Sequence, residues 1–183
     1  NNRISDLSPL AGLPNLEDLS AGNNQISDLS PLSGLPSLQR LGAANNQISD
    51  LSPLASCPNL LAVAVDYNQI TTLVPIASLG GLSASNNRIS DLSPLASSPN
   101  LEQIWAANNR ISDLSALQGL TSLATLDLSG NQISDIEPLV NNSGMGSGDK
   151  LDLRSNPLNS ESVDKWIPEL IARGVDVLWD QTT

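Results

Sequence analysis

Six aspartates, Asp6, Asp28, Asp50, Asp91, Asp113 and Asp135, sit in one local context, Ile-Ser-Asp followed by Leu or Ile. If the segments that carry them stack like strands, their carboxylates form a column with roughly 5 Å between neighbours. Oxygen ligands at that density would suit a hard cation such as Ca²⁺. The competing reading is that each carboxylate accepts hydrogen bonds from nearby backbone and stays solvated, with Arg3, Arg88 and Arg110 offsetting part of the charge. The second reading is the expectation, and no metal or other cofactor is assigned. Little else in the chain is reactive. It has no His, which removes the commonest general base and metal ligand. Cys57 is the sole cysteine, so no intrachain disulfide can form. It stands in Leu54-Ala55-Ser56-Cys57-Pro58-Asn59-Leu60 where Leu13 stands in Leu10-Ala11-Gly12-Leu13-Pro14-Asn15-Leu16, and Ser98 later takes the same place. Cys57 is therefore read as a small buried hydrophobe. Thiol catalysis and Cys/His zinc sites are excluded on this basis, and the chain is read as a non-enzyme.

One further segment has the composition of a ligand site. Val140 to Lys150 carries alternating glycines, Gly144, Gly146 and Gly148, of the kind that cradles phosphate. That function needs a strand before the loop and a helix after it, and this segment has neither. A flexible loop is the expectation.

The elements that position these residues follow from a repeat. Asn-x-Ile recurs at Asn2, Asn24, Asn46, Asn68, Asn87, Asn109 and Asn131, and a variant, Asn-x-Leu, starts at Asn156, at intervals of 22, 22, 22, 19, 22, 22 and 25 residues. A fixed period of this length marks a solenoid whose units bury their apolar edges against neighbours. The buried side chains are almost all aliphatic, since there is no Phe, one Tyr and three Trp. Apolar and polar residues alternate around Leu19/Ala21, Leu41/Ala43, Val63/Val65, Leu82/Ala84, Ile104/Ala106, Leu126/Leu128 and Leu151/Leu153, the period of a half-buried strand. The Asn that follows both donates and accepts, so stacked copies can bond the turning backbone of adjacent coils. Ser-Pro pairs such as Ser30-Pro31 then open the return leg, with Ser as N-cap and Pro at the first helical position. The fourth repeat is three residues short, and its return leg should be tighter.

The pattern Leu-x-x-Leu-x-Ala/Leu-x-x-Asn-x-Ile-Ser-Asp-Leu-Ser-Pro-Leu, seen over residues 1–158, resembles the leucine-rich repeat in the 22-residue form of bacterial internalins. The resemblance implies an α/β solenoid: a horseshoe with a parallel concave β-sheet and short 3₁₀ or α turns on the convex side. It also implies a non-catalytic binder of host proteins, secreted from or displayed on a bacterial cell. After Leu158 the pattern stops. Val163, Trp166, Ile167, Leu170 and Ile171 have helical spacing between Ser160 as N-cap and Gly174 as stop, with Pro168 predicted to bend the helix. Val175, Val177 and Trp179 then alternate as a last strand. Residues 159–183 are thus expected to form a helix-strand cap over the last coil, with Trp166 and Trp179 in its core.

The net charge is −11, from 19 acidic and 8 basic residues, and this disfavours nucleic acid and anionic membrane as partners. No run approaches the roughly 18 apolar residues of a membrane span. The concave face is where a partner would sit, and most side chains flanking the strand cores are small. Trp105 is the exception, with Tyr67 two coils away, or about 10 Å at strand spacing. Together with Asp66, Gln103, Asp127 and Arg40 these residues form the candidate binding set. An exposed Trp among small residues has the character of a binding hot spot; the alternative is that it packs across the shallow face and shields backbone. A monomer that binds a protein is expected, with a glycan as the second choice. Two other functions stay open. A structural spacer in a surface protein would show no saturable partner, and a regulatory or targeting segment of an enzyme would have further domains in its gene.

Overall fold

The computed structural model describes residues 2–180. Asn1, which with Asn2 opens the first repeat, and Gln181 to Thr183 of the expected cap lie outside that range. Each coil contributes one short strand: β1 (Asp18–Ser20), β2 (Arg40–Gly42), β3 (Ala62–Ala64), β4 (Gly81–Ser83), β5 (Gln103–Trp105), β6 (Thr125–Asp127), β7 (Lys150–Asp152) and β8 (Asp176–Leu178). They form one eight-stranded sheet in chain order, every pair parallel. The register aligns Leu19, Leu41, Val63, Leu82, Ile104, Leu126, Leu151 and Val177 in one inward row. Behind it runs a second aliphatic column, in which Ile26, Ile48, Ile70, Ile89, Ile111 and Ile133 are each 0% exposed. Burying one such side chain is worth about 1.5–3 kcal/mol, so the columns are the main cohesive element between coils.

A polar ladder locks the coils at the end of each strand. In Asn46, Oδ1 accepts the Ile26 amide of the preceding coil at 2.9 Å, while Nδ2 donates to Ala21 O and Ala43 O, both at 3.0 Å. Asn68, Asn87, Asn109, Asn131 and Asn156 repeat the arrangement. The residue before each of these, and before Asn24, takes a left-handed backbone: Asn23, Asn45, Tyr67, Asn86, Asn108 and Ser155 have φ between 54° and 58°, and Gly130 has 66°. Asn tolerates that region better than most residues, which accounts for the Asn-Asn pairs in the sequence.

On the convex side, 3₁₀ turns span Ser8–Leu10, Ser30–Leu32, Ser52–Ser56, Ser93–Ser97 and Ser115–Leu117. The expected Ser N-cap is corrected here. Asp28 Oδ1 accepts the Ser30 amide at 2.7 Å, and the Ser30 hydroxyl donates to Asp28 Oδ2 at 2.8 Å. The same pairing joins Asp6 to Ser8, Asp50 to Ser52, Asp91 to Ser93 and Asp113 to Ser115. A charged carboxylate is the stronger acceptor, so it takes the amide and leaves the hydroxyl to donate. The short fourth repeat has no 3₁₀ helix between β3 and β4, only one turn in which the Leu79 amide donates to Ile76 O at 3.1 Å, so its return leg is unwound rather than tighter as expected. Extended chain advances about 3.3 Å per residue against 2.0 Å in a 3₁₀ turn, so unwinding the leg makes up for the missing residues.

Two further expectations are corrected. The loop after α1 (Glu137–Val140) is not flexible but pinned to the core. Asn142 is 0% exposed and donates to Leu117 O at 2.8 Å and Leu120 O at 3.0 Å, and Met145 is 3% exposed. Gly144 lies so close to the chain that an added Cβ would sit 2.0 Å from Thr121 O. In the C-terminal segment the helix is capped by Asn159 rather than Ser160, with Asn159 Oδ1 accepting the Ser162 amide at 2.7 Å. The chain widens into a π turn at Ser162–Trp166 before α2 (Ile167–Ala172). The Ile167 amide donates to Ser162 O, five residues back, so the turn is wider immediately before Pro168, whose ring would crowd the carbonyl of a regular turn. Gly174 ends the helix as expected, at φ +92°, and β8 follows. Trp166 and Trp179 are half-buried against the core.

Candidate binding face

The inward row fixes what the other face of the sheet shows. Residues on either side of it point outward, so Asp18, Arg40, Ala62, Gly81, Gln103 and Thr125 form one outward row and Ser20, Gly42, Ala64, Ser83, Trp105 and Asp127 the other. The small side chains of β3 and β4 floor an open trough of about 510 Å³. Arg40 and Asp18 wall it on one side, Gln103 and Trp105 on the other. A second hollow of about 200 Å³ lies beyond Trp105, lined by Thr125, Asp127, Lys150, Asp152, Asp176 and Leu178 among others. Trp105 is half-buried and belongs to both.

The structure thus brings Trp105, Gln103 and Arg40 to one trough and Trp105 and Asp127 to the other hollow. Arg40 is held by Asp18, with Nε 2.6 Å from Oδ1 and Nη2 2.8 Å from Oδ2, so its charge is already matched. Asp127 Oδ1 accepts the Ser129 amide at 3.1 Å and hydroxyl at 2.7 Å, and Oδ2 has no partner among the described residues. Asp66 and Tyr67 line neither hollow. The Asp66 carboxylate is turned to the next coil, where it accepts the Ser83 hydroxyl at 2.7 Å and the Ser85 amide at 2.9 Å. Tyr67 occupies the left-handed turn after β3, on the rim of the sheet, and is 57% exposed. Asp176 and Leu178 were the outward residues that repeat counting missed, because β8 lies outside the repeat pattern. The alternation of Val175, Val177 and Trp179 is the signal that places them on this face.

The Asp column behaves as local structure. Backbone N–H donation from Ser8, Ser52 and Ser93, followed by their hydroxyls, holds the carboxyls of Asp6, Asp50 and Asp91 below the usual carboxylate range. Arg154 does the same for Asp152. Arg3, Arg88 and Arg110 form no ion pair with the column among the described residues, where the cation–carboxylate pairs are Arg40–Asp18, Arg154–Asp152, Lys165–Glu161 and Arg173–Glu169. No group of three or more His, Cys, Asp or Glu is arranged to hold a metal ion among the described residues. Cys57 is buried as expected, its thiol donating to Leu32 O at 3.2 Å, and burial pushes the thiol pKa up. No described helix is long and apolar enough to cross a membrane.

Comparison with known proteins agrees with this architecture. The model for "Leucine Rich repeats (2 copies)" matches residues 1–34, 36–78, 77–118 and 99–141. Among solved structures, an internalin from Listeria monocytogenes is 32% identical, with a TM-score of 0.69 over 98% of this chain and 60% of its own length. Internalin C2 from the same organism is 28% identical, with a TM-score of 0.86 over 97% of this chain and 77% of its own. A leucine-rich repeat protein of Leptospira interrogans is 25% identical, with a TM-score of 0.78 over 90% of this chain and 43% of its own. The chain therefore spans about three fifths of the first of these proteins. No curated protein matches it in sequence. The chain belongs to the leucine-rich repeat family and is internalin-like within it.

Proposed function

We propose that this chain is a non-catalytic recognition module that holds a protein partner on the concave face of its sheet, around Trp105. The observation that carries the reading is the placement of Trp105. It is the sole aromatic side chain lining the two hollows of the face, and it separates them. Large, rigid aromatics at the centre of a desolvated patch dominate interface energetics. The backbone of the face is consumed by strand pairing, so side chains alone must provide recognition. By likeness to the Listeria internalins, the module works outside a bacterial cell.

The test is capture from pools of extracellular proteins and of glycans, comparing the native chain with Trp105→Ala. A hot-spot loss of about 2 kcal/mol or more is a thirtyfold or larger weakening. Trp105 is half-buried on an open face, so its truncation leaves the circular dichroism spectrum unchanged. A protein retained by both forms equally would move the site off the concave face. Capture of glycans alone would replace the partner class, and no saturable partner would favour a spacer.

A further inference from the structure

The shape of the trough limits what can fill it, and we propose that its occupant is a single α-helix of the partner, lying along β3 and β4 with a cationic flank turned toward Trp105. This rests on the concave-face reading and goes on to name the partner's element. The walls stand on β2 and β5, three strand spacings apart, or about 14 Å. An α-helix with its side chains is about 10–12 Å across, while a lone extended strand leaves most of that width unfilled. The floor is Gly42, Ala62, Ala64, Gly81 and Ser83, side chains short enough to let a helix approach closely. Strand addition is unavailable here, because each of the strands under the trough is paired on both sides.

Charge sets the orientation. On the Arg40 side the wall is neutralised by Asp18. On the other side the hollow beyond Trp105 holds three carboxylates, Asp127, Asp152 and Asp176. Arg154 is taken by Asp152 and Lys150 stands beside Asp176, so one negative charge is left over, and Asp127 Oδ2 accepts no hydrogen bond among the described residues. A Lys or Arg on that flank would lie over the indole face and reach the Asp127 carboxylate.

The experiment uses two yeast-displayed libraries of equal size, selected against the whole chain. One presents a randomised helix face on a three-helix scaffold and the other a randomised disulfide-closed β-hairpin. The expected result is enrichment from the helix library, with Lys or Arg recurring on one flank. Binding should fall at least tenfold on Gly81→Lys and Trp105→Ala, and severalfold on Asp127→Asn. A Cβ at Gly81 meets only Gln103 Oε1, at 4.0 Å, so the substitution blocks the floor without disturbing the fold. Gly42→Lys, whose Cβ meets nothing nearer than 3.8 Å, serves if circular dichroism shows otherwise. Trough-directed binders from the hairpin library alone would overturn the helix while leaving the concave-face reading intact. Helix binders without cationic bias would overturn the assigned flank. Binders indifferent to every one of these substitutions would overturn both.

Discussion

Replacing Asn109 by Ala tests whether the asparagine ladder binds coil to coil. Asn109 is 8% exposed and donates to Ala84 O at 2.9 Å, Ala106 O at 3.1 Å and Ala107 O at 3.2 Å. It also accepts the Ile89 amide at 2.9 Å. Truncation leaves the Ile89 N–H without a side-chain partner in a dry interior and leaves the Ala84 carbonyl with Asn87 Nδ2 alone, at 3.1 Å. The one orphaned group costs about 1–3 kcal/mol and the lost bond to Ala84 O about 1, so the expected loss is roughly 2–4 kcal/mol in total. At about 2–4 °C per kcal/mol for a chain of this size, the melting temperature should fall by about 5–15 °C. Asn24 is the internal control. Its amide bonds only its own coil, at Ala21 O and Gly22 O, and the Ile4 amide it accepts is exposed. Asn24→Ala should cost about 1 kcal/mol or less, because water replaces what is lost. Asn109→Asp sharpens the test. It keeps an acceptor for Ile89 but sets a carboxylate against three carbonyls, so it should cost at least as much as Ala at pH 7 and less as the carboxyl protonates. Thermal and urea unfolding followed by circular dichroism, with hydrogen exchange at the Ile89 amide, would measure this. Equal costs for Asn24→Ala and Asn109→Ala, or unchanged Ile89 exchange, would refute the ladder as an inter-coil lock.

Four further outcomes follow from the same physics. Tyr67→Asn should raise stability by about 0.5–1 kcal/mol, since Asn accepts the left-handed turn more readily than Tyr, and denaturant titration would show it. Gly144→Ala should lower stability by about 1–3 kcal/mol through its clash with Thr121, whereas Gly146→Ala, whose Cβ meets nothing nearer than 3.9 Å, should be close to neutral in the same melts. Cys57 should resist thiol reagents at pH 8 in the folded chain and react fully in urea. Cys57→Ser should cost under about 1.5 kcal/mol, since Ser98 already fills the equivalent site and donates to Ile76 O at 2.7 Å. The carboxyls of Asp6, Asp50, Asp91 and Asp152 all have folded pKa values below the ordinary 3.8. Their contribution is therefore complete above that value and is lost as pH falls through the depressed range. The melting temperature should hold down to about pH 4 and decline below it, and Asp50→Asn should shrink the decline.

The solenoid was legible in the chain because its determinants are local and repeated. The Asn-x-Ile spacing, the alternation around Leu41 or Ile104 and the aspartate in each turn recur in every full unit, and repetition turns a weak signal into a strong one. The same repetition concealed where the rules change. The Gly-rich run at 143–148 has the composition of a mobile loop, yet Asn142 and Met145 anchor it to coils two dozen residues away. Asp66 was legible as an outward residue, but its bonds to Ser83 and Ser85 depend on how the next coil lies against it. The sequence by itself determined the architecture and which side chains face outward, since both follow from period and alternation. Only the tertiary structure decided that Trp105 divides two hollows, that Arg40 is matched by Asp18 and that Tyr67 stands on the rim. Those facts depend on which coil lies beside which and how far apart they stand, and a one-dimensional period carries no such distances.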